Sequence, residues 1–188
     1  MASFDRLREL LLTPEAAAEM DAPGSIDAAV LIPLFEREGE LHAVFTERRA
    51  DLHRHGGEIS FPGGRQDAPD EDLRATALRE AQEEIGLAPE AVELVGALSP
   101  TGTFVTSYRI HPFVGVIEPE QDWAPQATEV EAVLELSLPA LVRAHEAKRL
   151  WRKGVPFKSP TYTIDGEFVW GATARIVEEL LDRLSPLV

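Results

Sequence analysis

The chain has 188 residues, 44% of them hydrophobic and 27% charged, with a formal net charge of −15 and no cysteine. That length suits one domain with a real core, and the missing thiols exclude disulfides, thiolate metal sites and cysteine nucleophiles. The acidity argues against a duplex nucleic-acid partner, whose affinity rests on many Lys and Arg contacts to phosphate. The longest apolar run, residues 28–35 (AAVLIPLF), is too short to cross a bilayer, so no membrane partner is expected. No basic stretch followed by an apolar one opens the chain, so a signal peptide is not expected and the cytoplasm is the expected location.

In chain order, residues 3–12 read as a short amphipathic helix with Phe4, Leu7 and Leu11 on one side. A lead-in ending in EMDAPGS completes an N-terminal segment, 1–25, ahead of a main domain over 26–188. Residues 30–35 and 41–46 read as strands joined by the hairpin turn EREGE. Residues 47–70 form a long glycine- and proline-containing loop, and loops of that length are usually functional or disordered. Asp70 suits the N-cap of the next helix and Gly86 its end. Strands are expected at 92–98, 110–117 and 130–136, and a helix at 138–150. YTIDGEFVW reads as strand, Asp-Gly turn and strand, and a last helix spans 172–184. Strands and helices without regular alternation predict an α/β fold, a mixed sheet sandwiched between helices.

The charge is unevenly spread. Residues 143–158 hold six basic and one acidic residue, leaving 12 basic and 32 acidic residues elsewhere. A solvated helix face is the expectation for this basic stretch, with reception of a small polyanion as the alternative.

The stretch REAQEEIGL places Glu80, Glu83 and Glu84 at the end of one helix. On an ideal helix Leu73, Ala77, Leu78, Ala81 and Ile85 form the packed face. Glu80 and Glu84 fall at its margin and Glu83 farther round. Like charges one turn apart cost about 0.2–0.5 kcal/mol per pair. The helix C-terminus disfavours carboxylates there by about 0.3–1 kcal/mol. Partial burial of Glu80 and Glu84 adds desolvation. A bound divalent cation removes all three objections, and an all-oxygen set without His or Cys points to Mg²⁺ or Mn²⁺. Gly63 and Gly64, just before the helix, let backbone approach a ligand closely.

These residues resemble the Nudix box, G-x5-E-x7-R-E-U-x-E-E-x-G-U with U aliphatic. Gly64, Glu71, Arg79, Glu80, Glu83, Glu84, Gly86 and Leu87 stand at its fixed positions, with six residues rather than five between Gly64 and Glu71. The resemblance implies the Nudix fold and hydrolysis of a nucleoside diphosphate linked to another group. It also implies Mg²⁺ or Mn²⁺ held by Glu80, Glu83 and Glu84, with Glu71 and Arg79 bracing the loop against the helix. The preceding segment, 44–64, is similar to that of coenzyme A pyrophosphatases, commonly L-R-x-H-x-G-[QE]-[IV]-x-F-P-G-G. Leu52, His55, Gly57, Glu58, Ile59, Phe61, Pro62, Gly63 and Gly64 match, and His53 replaces the Arg. The resemblance spans about residues 31–181. It implies cleavage of coenzyme A to 4′-phosphopantetheine and adenosine 3′,5′-bisphosphate. Rivals are the same chemistry on ADP-ribose or another dinucleotide, and an idle nucleotide-binding module. Nudix-fold isopentenyl diphosphate isomerases use a cysteine, which this chain lacks.

Arg48, Arg49 and Arg54 are candidate phosphate contacts, with solvent-facing charge as the equal alternative for the first two. Glu129 is the candidate general base, with Glu131 its rival. His53 and His55 read as polar loop residues, and Trp151 and Trp170 as core. The sequence leaves open whether the chain forms a homo-oligomer.

Overall fold

The computed structural model describes residues 4–51, 56–67, 72–103, 107–152 and 154–188, with the side chains of Phe4, Arg152 and Val155 outside that description. Two short helices, α1 (Phe4–Leu10) and α2 (Pro14–Ala18), lead into β1 (Ile26–Arg37) and β2 (Glu40–Arg48). Then follow β3 (Ile59–Ser60), β4 (Gly63–Arg65), α3 (Leu73–Ile85), β5 (Glu93–Ala97), β6 (Thr101–Gly102), β7 (Tyr108–Val116) and β8 (Val130–Ser137). The chain closes with α4 (Leu138–Ala144), β9 (His145–Arg152), β10 (Val155–Ile164), β11 (Glu167–Val169) and α5 (Gly171–Leu184).

The larger sheet runs β3-β2-β1-β7-β5, with β4 on β1, β6 on β7 and β8 on β2. It is mixed, because β1 and β7 are parallel while the other pairings are antiparallel. Strand β1 is buried on both faces, which explains why its sequence is an unbroken apolar run. Its even positions, Ile32 and Leu34, join a core with Leu7 of α1, Leu11 just beyond it, Leu138 and Leu141 of α4, and Val177 and Leu180 of α5. Its odd positions, Ala29, Leu31 and Phe35, join a second core with Ala77, Ala81 and Ile85 of α3. The period-two alternation of a strand thus divides the helices between the two faces.

One edge of β1 is shared. Residues 28–30 pair with β4 and 34–37 with β2, so Pro33, which has no N–H to give, falls between the two antiparallel ladders. This fork brings Gly63 and Gly64 alongside β1 beneath α3.

Five expectations are corrected. The helix expected at 138–150 ends at Ala144, and His145–Arg152 is a strand paired along its length with β10. The basic stretch therefore runs from the end of α4 through β9 into β10 of a hairpin rather than along a helix face, and Trp151 is 69% exposed instead of core. The N-cap of α3 is Asp72, whose side chain accepts from the Arg74 N–H, rather than Asp70. The loop after β2 carries two short strands, β3 and β4.

Candidate active site

Helix α3 lies across β1 and β4 with its packed face as the spacing requires: Ala77, Ala81 and Ile85 are buried, and so are Thr76 and Glu84. It stops at Gly86, in the left-handed region at φ 75°, whose N–H bonds back to the Gln82 carbonyl. No basic residue stands in its last turn. Its terminal carbonyls are met instead by backbone of the 118–129 loop. Ala124 donates to the Ile85 carbonyl at 3.0 Å and Gln126 to that of Glu84 at 2.9 Å.

That docking positions Glu129. Its N–H bonds the Gln126 carbonyl and its own carbonyl accepts from Arg49 N. Along β2, Val44 faces α3, so alternation turns Arg48 to the same side. The Arg48 guanidinium lies between two carboxylates, Nη1 3.9 Å from Glu84 and Nη2 3.6 Å from Glu129. Its buried Nε has no hydrogen-bond partner among the described residues. Arg49 is engaged elsewhere: its guanidinium forks onto Asp51 at 3.0 and 2.9 Å and donates to the Ala127 carbonyl.

The three helix carboxylates differ in surroundings. The Glu84 side chain is 7% exposed and accepts from the Gly63 N–H at 3.1 Å. Burial pushes its pKa up to about 7, against the pull of the Gly63 N–H and Arg48, while Glu80 and Glu129 push it further. Glu80, 16% exposed, pairs with Arg79 at 2.9 Å, yet burial still raises its pKa. Glu83, 54% exposed, pairs with Arg79 at 3.2 Å. Arg79 also reaches the Arg65 carbonyl at 3.4 Å and so ties α3 to β4.

The two glycines have separate reasons. A Cβ on Gly63 would stand 2.3 Å from the Ala29 carbonyl, so this residue is what permits β4 to approach β1. A Cβ on Gly64 would stand 2.5 Å from the carboxyl carbon of Glu80, so its absence leaves the space beside that carboxylate open.

Among the described residues no three acidic or histidine side chains converge on one point; Glu80 is turned to Arg79, and Glu84 to Gly63 and Arg48. The donor chemistry nevertheless fits a hard divalent cation. The ligands are all oxygen, and two carboxylates have raised pKa values that an adjacent cation would lower.

Of the residues singled out from the sequence, Arg48, Gly63, Gly64, Arg79, Glu80, Glu83, Glu84 and Glu129 gather around α3. Glu131 does not: it is exposed, and its charge acts on Glu47, whose pKa is raised by burial, Glu167 and Glu131. Glu71, His53, Arg54 and His55 lie outside the described residues. The bridging place of Arg48 was not legible in advance; period-two alternation along β2 gives its face, but not its partner Glu129 just before β8. No helix among the described residues is long and apolar enough to cross a membrane.

Residues 25–156 match the NUDIX domain family. Nudix hydrolase NudL of Salmonella paratyphi B, itself described as uncharacterized, is 39% identical over 155 residues, covering 81% of this chain and 80% of the relative. A MutT/nudix family protein from Enterococcus faecalis superposes with a TM-score of 0.57 at 14% identity, over 89% of this chain and 64% of that one. The NUDIX domain of Shewanella oneidensis NrtR, crystallised with ADP ribose, superposes at 0.55 and 16% identity, over 90% and 97%. At such identities the two structures speak to the fold alone. The family match and the NudL identity go further, and the chain belongs to the Nudix hydrolase family.

Proposed function

We propose that this Nudix hydrolase is a divalent-metal-dependent pyrophosphatase of coenzyme A and its derivatives. The observation that carries the chemistry is Glu84, a carboxylate nearly removed from water at a helix end without a basic side chain. The substrate rests on the segment leading into the glycines, where Gly57 to Gly64 match the coenzyme A pyrophosphatase pattern.

Glu80, Glu83 and Glu84 would hold Mg²⁺ or Mn²⁺, and Arg79 sets two of these side chains. When bound, such a cation neutralises pyrophosphate charge and activates water. Arg48, between Glu84 and Glu129, would take a phosphate oxygen, for which a planar guanidinium is suited. Glu129 would accept the proton of the attacking water. The new bond joins water oxygen to phosphorus, and the bridging P–O bond breaks with its electrons on the leaving phosphate. Arg54 remains a candidate for the 3′-phosphate and Glu71 for bracing the loop.

The test is phosphorus NMR of products formed with Mg²⁺ from coenzyme A, dephospho-coenzyme A and ADP-ribose in parallel. Coenzyme A should give 4′-phosphopantetheine and adenosine 3′,5′-bisphosphate. One Arg contact to the 3′-phosphate should favour it over the dephospho form about ten- to a hundredfold in kcat/KM. Equal rates on those two would reduce the assignment to a general dinucleotide pyrophosphatase. Turnover of ADP-ribose alone would replace it.

A further inference from the structure

The turn that carries Glu129 is held by hydrogen bonds rather than by packing. Residues 124–128 are all exposed, and the Glu129 side chain is itself 46% exposed. On one side, Ala124 and Gln126 donate to the last carbonyls of α3. Within the turn, the Glu129 and Val130 N–H groups both donate to the Gln126 carbonyl at 2.9 Å. These bonds fix where the turn leaves α3. They do not by themselves fix residues 127–129, which must be tied from the side of β2.

The register between β2 and β8 supplies that second tie. Glu47 pairs with Ala132 but Arg48 with Val130, so Glu131 has no partner across the ladder. A bulge of this kind re-aims the side chains around it and is common beside active sites. In an unshifted ladder Arg49 would stand opposite Val130. With the shift it meets Glu129 instead, and the Arg49 N–H donates to the Glu129 carbonyl at 3.0 Å.

The side chain of Arg49 then reaches the other end of the turn. Its Nη1 donates to the Ala127 carbonyl at 2.9 Å. Its Nε and Nη2 fork onto the two oxygens of Asp51 at 3.0 and 2.9 Å. One residue thus grips both ends of the 127–129 turn, by its backbone and by its guanidinium. An exposed ion pair contributes little to stability by itself. A bidentate fork does, however, fix the plane of a guanidinium, and here it aims the remaining edge at the Ala127 carbonyl. A substrate phosphate at Arg49 would have to lie beside the Asp51 carboxylate, which disfavours that use.

We infer that Arg49 is a positioning residue of the reaction, clamping the 127–129 turn so that the Glu129 carboxylate stays beside Arg48. The inference rests on the role proposed above for Glu129. Asp51 belongs to the same device, because it sets the direction of the clamp.

The test compares steady-state rates with Mg²⁺ for the wild-type protein, Glu129→Gln, Arg49→Ala and Asp51→Ala. The substrate is whichever of coenzyme A, dephospho-coenzyme A and ADP-ribose the wild-type protein turns over fastest. Glu129→Gln sets the scale, since loss of a general base costs about a hundredfold or more in kcat. Arg49→Ala should lower kcat about tenfold or more by misplacing that base, with KM within about twofold of wild type. Asp51→Ala should change kcat in the same direction by less. Hydrogen exchange of the metal-free proteins gives a readout independent of turnover. The Glu129 and Val130 amides should exchange faster in both Arg49→Ala and Asp51→Ala, while the amides of α5 keep their protection. A raised KM with kcat kept in Arg49→Ala, and a lowered KM in Asp51→Ala, would make Arg49 a phosphate contact and overturn the inference. Unchanged kcat and unchanged exchange in Arg49→Ala, with kcat lost in Glu129→Gln, would overturn the inference alone. Full kcat in Glu129→Gln would overturn the role of Glu129 and the inference with it.

Discussion

Helices α3 and α5 are nearly equal in length, cover opposite faces of one sheet, and treat a buried and a partly buried carboxylate in opposite ways. In α5, Glu179 accepts from the Ser99 N–H and hydroxyl, and from Arg183 one turn on at 2.8 Å. The last turn of α5 contains that Arg183, as its dipole favours. In α3, Glu84 is more deeply buried, receives one backbone N–H, and has its nearest cation 3.9 Å away. Glu179 of α5 thus has a backbone N–H, a hydroxyl and a close guanidinium, whereas Glu84 of α3 has one backbone N–H and a distant guanidinium. An acid satisfied by its own chain serves the fold; the role proposed for the one left short of partners is to meet a cation.

The largest expected effect separates the two helices by readout. Glu84→Gln should reduce turnover at least several hundredfold while leaving the metal-free melting temperature unchanged or higher. A sharp fall in that temperature would make Glu84 a fold residue and end the contrast. Next is the pH dependence of metal-free stability. The folded pKa of Glu84, about 7, lies above its ordinary value near 4.5, so the folded state binds the extra proton. Stability should therefore fall as pH rises from about 4.5 to 7, by up to about 3 kcal/mol, and that part of the slope should vanish in Glu84→Gln. Urea denaturation of both proteins across that range gives the difference directly.

Gly64→Ala comes next. Its Cβ would meet only the far end of the Glu80 side chain, so the fold should survive while the carboxylate is displaced. Misplacement of about 1 Å at a reacting centre costs on the order of a hundredfold, and steady-state rates will show whether it does so here. Glu179→Ala should give the opposite profile, losing about 1–3 kcal/mol of stability with turnover intact. The smallest effect belongs to Glu83→Gln, which should change metal-free stability by no more than about 0.5 kcal/mol, since Glu83 is exposed and paired with Arg79.

Much of α3 was legible because its signals are local. The 100° spacing placed Glu80 and Glu84 against protein and Glu83 outward, as the exposures of 16%, 7% and 54% bear out. The hairpin of β1 and β2, the Gly86 stop and the last helix were readable from turn chemistry and periodicity in the same way. The segment after Ala144 was not. HEAKRLWRK is rich in good helix formers, but residue-by-residue pairing of His145–Arg152 with β10 overrides that preference. The N-cap could not be chosen from DAPDED, where three Asp compete. Glu129 and Arg48 meet only through the β2–β8 register and the 118–129 loop, neither of which a linear pattern encodes.

The most direct test of the claim that α3 holds carboxylates for a cation is a titration of the substrate-free protein with Mn²⁺, followed by electron paramagnetic resonance. Wild-type protein should bind Mn²⁺, Mg²⁺ should compete for the same site, and Glu84→Gln should lose at least about tenfold in affinity. Equal Mn²⁺ affinity in the two proteins, or no binding in either, would contradict it.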